Sequence, residues 1–101
     1  MLGTDESRAG ERSAGMYEVV LSREAQRAFT AADGVLGKKL GRCFAQMEVD
    51  PRTGNNIKRL SGPLAGYWRF RVGDRRVVYE IDDATKIVTV VTISHRRDVY
   101  G

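Results

Sequence analysis

Residues 67–81 read Tyr67-Trp68-Arg69-Phe70-Arg71-Val72-Gly73-Asp74-Arg75-Arg76-Val77-Val78-Tyr79-Glu80-Ile81, two alternating runs that meet at a turn. In an extended chain successive side chains point to opposite faces, so Trp68, Phe70 and Val72 share one side and Tyr67, Arg69 and Arg71 the other. Gly73-Asp74 suits a two-residue hairpin turn, because glycine accepts the positive φ that such turns require. The resulting register pairs Phe70 with Val77 and Trp68 with Tyr79. It also sets Arg71 opposite Arg76, on the face that carries Arg69. Like charges directly across a sheet repel, so this face makes sense with an anion laid over it.

Working outward, Asp82-Asp83-Ala84-Thr85 reads as a second turn. Residues 87–93 are an almost unbroken β-branched run, which predicts a central strand buried on both faces. Upstream, residues 52–66 hold three glycines and a proline and read as loop. Before them, Leu36, Leu40, Cys43, Phe44 and Met47 form one apolar stripe of a helix over 35–49, stopped by Asp50-Pro51 because proline disfavours helical geometry at the preceding residue. Ala25, Ala28, Phe29 and Ala32 recur at helical spacing after Ser22, a residue suited to an N-cap, and Gly34 is expected to break that helix. Tyr17, Val19 and Leu21 alternate as a first strand. The fold class is α+β: a strand, a two-helix hairpin, then an antiparallel three-strand meander, with both helices on one sheet face. Residues 1–15 contain one large aliphatic side chain, Leu2, and are expected to form a flexible tail, with Met16 as a candidate functional start of a domain over 16–101.

Composition limits the function. A chain of 101 residues, 42% apolar and 30% charged, suits one domain with one modest core. Seventeen Lys and Arg against thirteen Asp and Glu give +4, and the excess is local: Lys58, Arg59, Arg69, Arg71, Arg75 and Arg76 stand against Asp74 alone. That density points to a phosphate-bearing partner. One cysteine, Cys43, allows no internal disulfide, and no long apolar run suggests a signal sequence or membrane span. A soluble, cytoplasmic chain is expected. One histidine, one cysteine and dispersed carboxylates supply no usual metal site, and no glycine-rich phosphate loop opens a helix. What remains, a basic aromatic surface with His95 and a terminal Tyr100, is equipment for binding RNA and cutting it without metal or cofactor.

The pieces Tyr17-Glu18-Val19-Val20-Leu21-Ser22, Asp50-Pro51, Lys58-Arg59-Leu60-Ser61-Gly62, the 67–79 hairpin and His95-Arg96-Arg97-Asp98-Val99-Tyr100, in that order, resemble the RelE/ParE toxin superfamily over 16–100. The resemblance implies a small microbial-RNase-like (RelE-like) domain, the toxin of a type II toxin-antitoxin pair. Its partners would be a cognate RelB-like antitoxin, the ribosome and mRNA, with no membrane and with DNA only indirectly through the antitoxin complex. In the RelE branch the toxin cleaves mRNA in the ribosomal A site. By position, Lys58 would bind or deprotonate the RNA, Arg71 and Arg96 would stabilise the transition-state phosphate, and Tyr100 would stack on a base or share in proton transfer. His95 stands where some members have a catalytic histidine, and its ordinary pKa of about 6.5 suits proton transfer at neutral pH. Arg59, Arg69 and Arg76 would steer RNA, with Arg59 competing with Lys58 for the functional lysine's place. The ParE branch shares the fold and instead inhibits DNA gyrase. Without the resemblance, Lys58 and Arg59 are ordinary loop cations, His95 a strand-end histidine and Tyr100 a terminal anchor.

Overall fold

The structure, a computed structural model, describes residues 16–95. The expected tail, Arg96 and Tyr100 lie outside the described residues.

The first strand, β1 (Glu18–Leu21), leads through Ser22 into α1 (Arg23–Ala31). Ser22 caps α1 as expected: its Oγ accepts from the Ala25 N–H at 3.0 Å and donates to the Val91 carbonyl at 2.7 Å, tying the helix start to the sheet. The second helix, α2 (Gly34–Val49), opens one residue earlier than the apolar stripe indicated. Gly34 is its first residue and breaks nothing. The boundary belongs to Asp33, whose carboxylate accepts from the Leu36 N–H at 2.8 Å, because an aspartate N-cap satisfies one of the free donors of a helix start. Phe29 and Phe44 join the helices edge to face, with ring centroids 5.5 Å apart, a contact worth about 0.5–1.5 kcal/mol beyond its buried area. Asp50 ends α2 and accepts from the Arg52 and Thr53 N–H groups.

The segment read as loop contains a short strand, β2 (Ile57–Arg59), and a 3₁₀ turn at Gly62–Leu64. Its three residues are too few for alternation to be seen in sequence, and they are strand because β3 (Trp68–Val72) offers an edge to pair with. Strands β4 (Arg75–Asp82) and β5 (Ile87–His95) complete a five-stranded sheet in the order β1-β5-β4-β3-β2. The chain therefore starts at one edge, crosses through the helices to the other, and returns strand by strand until β5 pairs in parallel with β1.

The β3–β4 register is the one read from sequence: Trp68 with Tyr79, Phe70 with Val77, Arg71 with Arg76. Gly73 takes a φ of 62°, the positive value at the first turn position that a II′ hairpin needs. Strand β5 departs from expectation. It lies second from the edge, with β4 at the centre, and buries one face: Val88, Val90 and Ile93 are buried while Thr89, Val91 and Thr92 are half-buried. The parity change comes from a bulge. Val78 pairs with Thr92 and Tyr79 with Val90, leaving Val91 as the extra residue.

The core forms where Ala25, Leu40, Cys43 and Met47 of the helices meet Phe70, Val72, Val77, Tyr79, Val88, Val90 and Ile93 of the sheet. Tyr79, fully buried, donates its hydroxyl to the Pro51 carbonyl at 2.7 Å, and burial pushes its phenol pKa up. At the far end of the sheet Arg52 grips Asp83 through both terminal nitrogens, at 3.1 and 2.7 Å, while Tyr17 donates its hydroxyl to Asp83 at 2.7 Å. The Arg52 hydrogen bond, followed by that from Tyr17, holds the Asp83 carboxyl below the usual range, and hydrogen bonding led by the Arg52 backbone N–H does the same for Asp50.

Two outcomes are expected. Tyr79→Phe leaves the Pro51 carbonyl unsatisfied and destabilises by about 1–3 kcal/mol, read as a lower urea midpoint at unchanged slope. The stabilisation from depressed carboxyls is present above their ordinary pKa of about 3.9 and lost as pH falls through the folded value. Arg52→Ala should therefore lose less of its urea midpoint than the parent between about pH 7 and about pH 3; equal losses would remove Arg52 from this role.

Candidate functional site

The sheet face away from the helices takes the residues that core packing turns outward. Burying Phe70, Val72, Val77 and Tyr79 forces Arg69, Arg71, Arg76 and Val78 to the other side. Strand β2 adds to this set: Lys58 pairs with Arg69, and Ile57, its neighbour, pairs with Phe70 on the core side. Two cation pairs, Lys58–Arg69 and Arg71–Arg76, thus stand directly across adjacent strands, where β-carbons lie about 4.5–5.5 Å apart. Lys58, Arg59, Leu60, Ser61, Arg69 and Arg76 border an open hollow of about 290 Å³ on this side. Arg69 and Arg76 are half-buried and Lys58 and Arg71 exposed; Arg69 Nε is fully covered. Among the described residues, neither Lys58 nor Arg71 has a carboxylate partner.

Lys58 and Arg59 face opposite ways. Period-two alternation turns the Arg59 side chain to the opposite face from Lys58, and its guanidinium lies 5.8 Å from the Trp68 ring centroid. Arg52 approaches the same ring at 5.8 Å. Arg59 contributes to the rim of the hollow, and Lys58 to the row of cations.

His95, the last described residue, pairs in register with Arg75, while Ser94 pairs with Arg76. It follows that His95 alternates away from Arg76. Its Nε2 lies 3.2 Å from Asp74 Oδ2, and Arg75 reaches the other Asp74 oxygen at 2.9 Å. Asp74, read from sequence only as a turn residue, is therefore the acceptor that positions His95; no local pattern could reveal this, since the two residues meet only once β5 is laid beside β4. Arg96 and Tyr100 follow His95 outside the described residues. Cys43 is 2% exposed, and burial pushes its thiol up to about 12, so it is core rather than a nucleophile. Among the described residues no three His, Cys, Asp or Glu side chains cluster as a metal site, and no helix is long and apolar enough to cross a membrane.

Chemically, this face can receive a phosphate between guanidinium groups and place an amine beside it. Because like charges face one another, Arg71→Thr is expected to raise stability by about 0.2–1 kcal/mol while weakening poly(U) binding. Loss of one phosphate contact lowers the slope of log affinity against log salt by about 0.7. A destabilised Arg71→Thr with unaltered poly(U) affinity would assign Arg71 a structural role.

Comparison with known proteins places the site in context. A family model described as the ParE toxin of the type II toxin-antitoxin system, parDE, matches residues 19–100. No curated protein sequence matches. Among solved structures, the chain is similar to the archaeal RelE in complex with RelB from Pyrococcus horikoshii OT3, at TM-score 0.72 and 19% identity, covering 83% of this chain and 99% of that one. The toxin-antitoxin complex RelBE2 of Mycobacterium tuberculosis is similar at TM-score 0.68 and 27% identity, covering 80% and 99%. The YoeB/ParE toxin of Agrobacterium tumefaciens gives TM-score 0.70 and 19% identity over 77% and 96%.

Proposed function

The chain belongs to the ParE toxin family of type II toxin-antitoxin systems, and we propose that it is a RelE-like member: a ribosome-dependent endoribonuclease that cleaves mRNA and is held in check by a RelB-like antitoxin. The observation that supports this reading most directly is the row Lys58, Arg69, Arg71 and Arg76 on one open sheet face. Such an array suits a phosphodiester, whose cleavage next to a ribose needs charge neutralisation more than any covalent help. The antitoxin reading draws on neighbours solved as complexes with RelB; an acidic, extended partner would complement the same surface.

In the proposed reaction the 2′-oxygen of one nucleotide gives up its proton and attacks the adjacent phosphorus. The bond from phosphorus to the next 5′-oxygen breaks, and that oxygen takes up a proton. The products are a 2′,3′-cyclic phosphate and a free 5′-hydroxyl. Arg71 and Arg96 bear the charge of the pentacoordinate phosphorane. The proton transfers fall to Lys58, His95 and Tyr100. Lys58 shares the face with the arginines, while His95, which alternates away from Arg76, stands 3.2 Å from Asp74 at the strand end that leads to Arg96. Arg59, Arg69 and Arg76 draw the strand in.

The family model itself favours a second reading, a ParE-like toxin that binds and inhibits DNA gyrase without chemistry of its own. Primer extension on a translated message with ribosomes, run beside a gyrase supercoiling assay, separates the two. The nuclease gives codon-linked cuts, and Arg71→Ala and Arg96→Ala each reduce the cleavage rate by about 10²–10³, or ~2.7–4 kcal/mol. An intact message with blocked supercoiling would reverse the assignment, and parental cleavage by either variant would remove that arginine from the site.

A further inference from the structure

A second hollow, of about 280 Å³, opens between α2 and the end of β3, and its border is cationic. Lys39 and Arg42 stand one helical turn apart on α2, about 5–6 Å between β-carbons, and Arg71 borders it from the strand. Gln46 and Asn56 add two amides, and Phe70 and Val72 supply an apolar floor. Among the described residues no carboxylate lines it. Among the described residues, Lys39, Arg42 and Arg71 have no ion-pair partner, so two helix cations border one space, with Arg71 at the strand edge, an arrangement that costs energy until an anion enters.

The hollow exists because β2 is short. Strand pairing between β2 and β3 stops at Ile57–Phe70, and the next β3 donor, the Arg71 N–H, goes to the Asn56 carbonyl at 2.9 Å. Beyond that bond no further strand among the described residues covers β3, and side chains of α2 border the same hollow as its end. The loop is also held close to the helix: a β-carbon on Gly54 would meet Gln46 Nε2 at 2.9 Å, nearer than such contacts allow, so only glycine leaves Gln46 where it lies.

We propose that this hollow takes one nucleotide of the message strand flanking the cleaved phosphate, its phosphate held by Lys39 and Arg42 and its base resting toward Phe70 and Val72. Arg71 borders this hollow and its cross-strand partner Arg76 borders the first, so a strand leaving the Arg71–Arg76 pair passes around the β3 edge into the groove. A volume near 280 Å³ is at the small end of ligand pockets and suits one nucleotide rather than a folded segment. The inference rests on the ribonuclease reading and extends it to a subsite.

The test uses the whole chain and a fluorescein-labelled ten-nucleotide RNA made uncleavable by 2′-O-methyl groups, read by anisotropy. Lys39→Ala/Arg42→Ala changes two exposed helix residues and should leave the melting temperature in place. Its RNA dissociation constant should rise about tenfold, with the salt slope reduced by about 0.7, the single-strand value for one phosphate contact. The charge-reversed Lys39→Glu/Arg42→Glu should bind more weakly still. Parental affinity and slope in the double alanine variant would overturn this subsite and leave the functional reading intact. Failure of the parent protein itself to bind RNA would overturn both. A deca-glutamate peptide serves as the competing probe: affinity for it that depends on Lys39 and Arg42, with RNA binding unaffected, would assign the groove to an acidic protein segment and overturn the nucleotide.

Discussion

Phe70 meets Val77 across the β3–β4 ladder, and nearly every property of the exposed face follows from that pairing. A pleated strand cannot bury Phe70 without turning Arg69 and Arg71 outward, and the partner strand cannot bury Val77 without turning Arg76 to meet them. A slip of one residue would drive guanidinium groups into the core and expose the aromatics, so the register is held by the full difference between burying apolar and charged side chains. Repulsion between Arg71 and Arg76, at about a kilocalorie or less, is too small to undo it. The core thereby sustains a concentration of charge that would not assemble by itself.

Coverage of the sheet is asymmetric for a related reason. Because the helices connect β1 at one edge to β2 at the other, both lie on the side of the chain's crossing. The opposite face has no covering element among the described residues and is open to a large partner. Short β2 matters here as well: it contributes Lys58 to the row of cations, and its end leaves the β3 edge open beside α2. Two cationic hollows thus lie to either side of this short strand, one bordered by Arg76 and the other by its cross-strand partner Arg71.

The charges that stabilise the fold lie elsewhere. Arg52, Asp83 and Tyr17 lock the chain before β2 to the β4–β5 turn, with Lys86 Nζ 4.7 Å from the centroid of the Tyr17 ring. These are opposite charges in satisfied geometry, though exposed and so individually modest. On the outer face Lys58 and Arg71 have no such partners among the described residues. Like charges placed across adjacent strands, Lys58 with Arg69 and Arg71 with Arg76, give this face a positive potential that attracts anions.

Amino-acid order alone determined the hairpin, its register and the outward set of arginines, because period two and a glycine turn are local properties that no distant contact overrides here. It determined the Ser22 cap and the end of α2 at Asp50 for the same reason. Tertiary structure decided the rest. Strand β2 exists because β3 lends it an edge; the Val91 bulge is invisible in a run of β-branched residues that would serve on either face; Asp33, rather than Gly34, marks the helix boundary because its carboxylate reaches Leu36. The opposite facing of Lys58 and Arg59, the contact of His95 with Asp74 and the placing of Lys39, Arg42 and Arg71 around one hollow all depend on which segments lie side by side. Such adjacency is a property of the folded chain, since it joins residues whose separation along the sequence carries no period to read.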